Sequence, residues 1–316
     1  MIKLSGFASI TLTALLTHTL FAANLSDSSS GKDLLLAAGR GSNVLSANVP
    51  RPVATTEAGE RKATLDYILA DVKKLAGASN TAAGAGTLIN YLQSPRAAAA
   101  LSGAKNAGEA ERFTVIDVIW ALGELNDSAA ASALEKLLSS PDRTVRLNVL
   151  AALKKTGTAS RVNLRGLKKA DYSAITPGDI LFRKGIYGIF SGSLSVGHTA
   201  IFTGMEDGVP MVIHATAWDD VSKADMDVFL AEKPYYGNRT TPVPPTPVQR
   251  ARILSWLAEQ LGLPFDLFHT TQKGPDTFDC VGLTETAYEA VGLNPTPDEL
   301  EHPLEPHDQY DNTVEY

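Results

Sequence analysis

A single cysteine, Cys280, in a chain of 316 residues excludes any internal disulfide. In an oxidising, exported setting such a lone thiol is either buried and inert or kept for its reactivity. Clusters of Lys and Arg that could track a phosphate backbone are missing as well. The chain has 28 Lys and Arg against 35 Asp and Glu, a formal charge of -7, and nucleic acid is excluded as an expected partner. After the first residues no run of about 18 apolar residues occurs, so no transmembrane segment is expected. The histidines lack the close spacing of a helical zinc pair, and one cysteine with two histidines is an incomplete ligand set. Neither a metal nor another cofactor is expected.

The residues that are present fall into four stretches. Residues 1–23 carry one cation, Lys3, a mostly apolar run around Phe7 to Leu20, and then Ala22 and Ala23 before Asn24. This three-part pattern predicts a secretory signal peptide. Thr11, Thr13, Thr17 and His18 interrupt the run, and no cysteine follows the cleavage site as a lipoprotein requires. The expected location is the periplasm or the exterior of a bacterial cell. Residues 24–57, rich in Ser, Gly and Ala, read as a flexible leader.

Residues 58–168 are almost entirely helix-forming, with apolar residues at helical spacing and punctuation at Gly77, Pro95, Asn126-Asp127, Pro141 and Gly157. Within them, Ile119-Trp120-Ala121-Leu122 and Leu150-Ala151-Ala152-Leu153 repeat one pattern, and the same shift pairs Ile116 with Leu147 and Val118 with Val149. The Ser140 to Arg146 stretch that leads into the second copy resembles the start of a HEAT repeat. That resemblance implies stacked helices with a concave surface suited to a protein partner, although an ordinary helical bundle shows similar spacing.

Residues 169–316 change texture to β-rich runs at Asp179 to Arg183, His198 to Thr203 and Pro210 to Ala215. Thr176-Pro177-Gly178-Asp179 places Pro and Gly as a type II turn requires. Thr246 caps a predicted helix opened by Pro247 and stopped at Gly262, and a last helix runs from Cys280 to Val291. Asp279 stands at the N-cap of that helix, so Cys280 lies in its first turn, where unpaired N–H groups and the helix dipole favour an anion. A thiolate is such an anion, and a nearby histidine is expected to bring the thiol from about 8.5 toward neutrality.

The Gly262-Leu263-Pro264-Phe265-Asp266 turn followed by Thr277-Phe278-Asp279-Cys280-Val281-Gly282-Leu283 resembles the nucleophile region of NlpC-type papain-like cysteine hydrolases. Val281 stands where that family commonly has serine, and Phe265 where it has tyrosine. Upstream, Gly178-Asp179-Ile180-Leu181-Phe182 resembles the family's Gly-Asp strand, and Gly197-His198-Thr199-Ala200-Ile201-Phe202 its histidine strand. With the histidine before the cysteine, the chain resembles circularly permuted members, including lecithin:retinol acyltransferase-like enzymes. The resemblance spans about Asp171 to Leu300.

It implies a permuted papain-like α+β domain with an antiparallel sheet, preceded by the all-helical HEAT-like domain. It implies Cys280 as nucleophile and His198 as base, with His214 on the adjacent strand orienting His198 and Asp219 or Asp220 as the alternative. Phe265, Trp218 and Asp279 are the expected substrate-side residues, and His269 is expected at the rim. The implied activity is a thiol hydrolase, a peptidase or amidase forming an acyl-thioenzyme on peptide substrates such as those of peptidoglycan. Two other readings stand beside it. One is a lipid acyl hydrolase or acyltransferase using the same residues, which an apolar groove would favour. The other is a non-catalytic module that binds a protein through its helices.

Overall fold

The computed structural model describes residues 81–102, 108–157, 171–185, 196–297 and 303–315. The predicted signal peptide and leader lie outside the described residues. All described residues fall in one compact unit, Thr56–Tyr316, with a mixed α+β architecture built on a single five-stranded antiparallel sheet.

Among the described residues five helices come first: α1 (Thr81–Leu92), α2 (Pro95–Leu101), α3 (Glu109–Leu125), α4 (Ser128–Leu137) and α5 (Arg143–Lys155). Their boundaries follow from local chemistry. Asn126 adopts a left-handed conformation that stops α3, and the next residue, Asp127, caps α4 by accepting from the Ala129 N–H at 2.7 Å. Asp142 caps α5, accepting from Thr144 and Val145 at 2.8 and 3.3 Å. Each cap satisfies first-turn donors that have no intrahelical partner, a contribution of about 1 kcal/mol. α3 buries residues on all sides, including Val115, Ile116, Val118, Ile119 and Leu122, and so lies inside its neighbours.

The sheet comprises β1 (Ile180–Lys184), β2 (Val196–Glu206), β3 (Val209–Thr216), β4 (Asp220–Asp225) and β5 (Tyr235–Arg239), in the order β4-β3-β2-β1-β5. The predicted turn precedes β1: Gly178 takes φ +92°, open to glycine at little cost, and the Asp179 N–H returns to the Thr176 carbonyl at 3.0 Å. Asp179 itself is fully buried, gripped by Asn238 at 2.7 Å and Arg250 at 2.8 Å. Its role in the Gly-Asp motif is thereby structural, tying the start of β1 to β5 and to α7 (Pro247–Glu259).

Period-two alternation sorts the strand side chains onto two covered faces. Leu181, Ala200, Phe202 and Val212 point to one face, where they join Met226, Phe229 and Leu230 of α6 (Met226–Glu232) and the apolar residues of α3 and α5. Ile180, Phe182, Ile201 and Ile213 point to the other, against Ile253 and Leu257 of α7 and Leu283, Ala287 and Tyr288 of α8 (Cys280–Glu289). A short α9 (Pro306–Asp311) adds Tyr310 to this second cluster. The helices and the sheet edge are also joined by polar contacts. Asn148 of α5 gives its amide to the Tyr235 carbonyl at 2.7 Å and accepts the Tyr235 N–H at 3.0 Å, as a neighbouring strand would. Asp117 of α3 takes Lys184 and the Tyr236 hydroxyl, both at 2.8 Å.

Candidate active site

Asp279 caps α8, its Oδ1 accepting the Gly282 N–H at 2.6 Å, so Cys280 is the first helical residue as its sequence position predicts. A β-carbon on residue 282 would lie 2.1 Å from the Gln272 carbonyl oxygen. The glycine of the Asp-Cys-x-Gly run is therefore the residue that lets the 272 loop pass close beneath the first turn of α8.

The strands β2 and β3 pair from Ile201 opposite Ile213 toward their hairpin. The opening of α8 meets β2 ahead of that pairing. The Thr199 hydroxyl donates to the Cys280 carbonyl at 2.8 Å and lies 3.3 Å from the Thr284 hydroxyl. The backbone and hydroxyl of Thr199 and the backbone of Val281 lie close enough to the thiol to favour its charged form. The thiol thus lies near the peptide that joins His198 to Thr199.

The two histidines meet each other. His198 Nε2 lies 3.0 Å from His214 Nδ1, and both rings lie near Phe229 of α6, at centroid distances of 5.9 and 5.8 Å. This is the face opposite the one α8 covers. Among the described residues no hydrogen bond joins the Cys280 sulfur to either imidazole, and His198 meets His214 through Nε2. Asp220 is engaged elsewhere, accepting the Phe265 N–H at 3.0 Å. His214 is therefore the group that contacts His198. Asp219 lines, with His214, a cleft of about 470 Å³ whose other walls are Ser222, Lys223, Ala224, Val228, Phe229 and Glu232.

Electrostatics corrects one expectation. Burial first, and the charge of Asp279 second, push the Cys280 thiol up to about 12, against the smaller opposing effect of the polar groups of Thr199. The helix terminus does not outweigh desolvation here, so the resting sulfur is a neutral thiol. The imidazoles move the other way. Burial, followed by the nearby Arg183 guanidinium, lowers His214 to about 4, and burial, Arg183 and His214 hold His198 well below its ordinary value. Both are neutral at pH 7 and can accept a proton.

The remaining predicted residues are placed separately. The Trp218 side chain stands 82% exposed on the β3–β4 hairpin, and Phe265 packs half-buried against the α7–α8 cluster. Asp279 is fully buried. Beyond its cap bond it accepts from His269 Nδ1 and from Gln272, each at 2.7 Å, so its oxygens are occupied within the protein. His269, expected at the rim, is half-exposed and bound to the cap of the nucleophile helix. Sequence reasoning missed Thr199 and Arg183. Thr199 read as strand filler, yet a polar residue directly after the candidate base was a usable signal. Arg183 closes an apolar strand at the same alternation as Leu181, and β1–β2 register sets it opposite His198.

Among the described residues no group of three or more His, Cys, Asp and Glu could hold a metal ion, and no helix is long and apolar enough to cross a membrane. Neither a family model, nor a curated protein, nor a solved structure matches this chain, so its functional reading rests on residues and geometry.

Proposed function

We propose that the protein is a thiol hydrolase that cleaves an amide or peptide bond through an acyl-thioenzyme at Cys280. The observation that carries the reading is one constellation: a thiol at the first turn of α8, whose backbone is bonded to Thr199 of β2, and beside it in sequence His198, whose Nε2 is held by His214 at 3.0 Å. A histidine fixed through one nitrogen presents the other as a base, the division of labour that activates nucleophiles in hydrolases.

Because the resting sulfur is protonated, the chemistry runs by general base catalysis. His198 takes the thiol proton as sulfur attacks the substrate carbonyl carbon, once its imidazole, which rests on the α6 face of the sheet, turns toward the face that α8 covers. The carbon–sulfur bond forms, and the oxyanion faces the Cys280 N–H, a first-turn donor without an intrahelical partner. The imidazolium returns its proton to the departing nitrogen. Water, deprotonated by His198, then attacks the thioester, the carbon–sulfur bond breaks, and the free acid leaves with the thiol restored.

The fold reading belongs to the same proposal: a permuted papain-like α+β part in which histidine strands precede the cysteine helix, with the earlier helices as a HEAT-like platform for a partner. Export to the periplasm or beyond, inferred from the first 23 residues, makes cell-wall peptides the substrate class to test. The cleft beside His214 has charged and polar walls at Asp219, Ser222, Lys223 and Glu232, which favours a peptide over a lipid acyl chain.

The test is the pH dependence of iodoacetamide labelling in wild type and His198→Ala. Wild type should label at pH 7 through general-base assistance, while the variant should label only as the pH rises toward about 12, where burial places the unassisted thiol. Superimposable profiles would leave a passive cysteine and sink the proposal.

A further inference from the structure

We infer that Arg183 is an anion-binding residue of this site, held in reserve by Glu232 and built to receive a carboxylate carried by the substrate. Arg183 is 4% exposed, lies opposite His198 in the β1–β2 register, and sets its guanidinium carbon 4.4 Å over the Phe229 ring. Its Nη1 donates to the Phe229 carbonyl at 3.0 Å and to Glu232. Its Nε is buried and has no acceptor.

Nε lies on the edge of a guanidinium that grips a carboxylate with two parallel N–H bonds. A buried donor left without an acceptor is costly, and sites of this kind persist where a ligand supplies what the protein withholds. The placement of Glu232 fits that use. Its side chain is 49% exposed against 5% for Arg183, and it lines both the cleft that contains His214 and a second cleft beside Trp120. Glu232 can therefore swing outward when another anion arrives, whereas Arg183 cannot follow it. Once ionised, Cys280 lies within electrostatic range of the same guanidinium, so the charge at Arg183 reaches the sulfur.

The link to substrate rests on the thiol-hydrolase reading, and the test has two arms that fail separately. In the first, Cys280 is alkylated with iodoacetate or iodoacetamide. Both form the same carbon–sulfur bond with loss of iodide and differ in carrying a carboxylate or an amide. The iodoacetate-to-iodoacetamide rate ratio should exceed that of free cysteine by about tenfold, return to the free-thiol value in Arg183→Gln, and be partly kept in Arg183→Lys. A ratio that Arg183→Gln leaves unchanged overturns the inference. In the second arm, Glu232→Ala is melted in acetate and in chloride at equal ionic strength. Acetate should raise its Tm by about 3 °C and should not raise that of Arg183→Gln/Glu232→Ala. Equal melting in both salts overturns the inference without touching Cys280. If neither reagent labels Cys280 in any protein, the hydrolase reading fails while the acetate arm still decides the role of Arg183.

Discussion

Two histidine environments lie around the opening of α8, and they are opposites. His198 and His214 are buried on the sheet, with Arg183 nearby and no carboxylate hydrogen-bonded to either among the described residues. His269 is half-exposed in the 266–272 loop and bound to the buried carboxylate of Asp279. Burial and a neighbouring cation lower the first pair, whereas the hydrogen bond to Asp279 raises His269 against the smaller effect of its own partial burial. The contrast separates two jobs that histidine can do. A neutral imidazole can take a proton from a thiol, while one bonded to a buried carboxylate holds its own proton more tightly.

The comparison breaks most readily in kinetics. His198→Ala should lower the rate of thiol acylation or alkylation at pH 7 by about 10² to 10⁴, the usual range for a positioned base. His269→Ala should change the same rate by less than about threefold, because its bonded nitrogen faces Asp279. Rates measured on both variants with one reagent decide the matter. An equal loss in both would move the base to the loop.

The next effect is in stability. A histidine whose pKa is about 4 when folded and about 6.5 when unfolded leaves the unfolded chain binding more protons between those values. Stability is therefore intact above pH 6.5 and falls progressively toward pH 4. His214 alone should account for about 3 kcal/mol of that loss, with His198 adding in the same direction. Urea unfolding at pH 7, 5.5 and 4.5 measures the slope, and His214→Gln should flatten it. A wild-type profile already flat across this range would mean that the folded pair carries a proton, contrary to its burial.

Much of the sheet and of the site was legible in the sequence because the signals are local. Thr176 to Asp179 spells a turn, three apolar runs mark β1 to β3, and Thr246 with Pro247 opens α7 through a complete capping box. Asp279 before Cys280 marked the cysteine as the start of a helix. Polar or short elements were not legible. β4 reads Asp-Val-Ser-Lys-Ala-Asp, and its place at the sheet edge comes from pairing with β3. β5 depends on Asn148, far away in sequence, to satisfy its backbone. The thiol's protonation was misread for a related reason. A helix terminus is visible in sequence, but the desolvation that outweighs it depends on which residues the fold brings around Cys280.

The smallest and most discriminating prediction concerns Asp279, which belongs to both environments. Its oxygen caps α8, and its charge raises both His269 and the Cys280 thiol. Asp279→Ala removes cap and charge together and should cost about 1 kcal/mol from the cap alone. Asp279→Asn keeps an acceptor for the Gly282 N–H and removes only the charge. In that variant His269 should titrate lower, and the alkaline limb of Cys280 labelling should also move to lower pH. NMR titration of His269 and alkylation across pH measure the two shifts independently. Movement of both assigns them to one carboxylate. Movement of His269 alone would show that burial, with no contribution from Asp279, holds the thiol neutral, and that the loop histidine is electrically separate from the nucleophile.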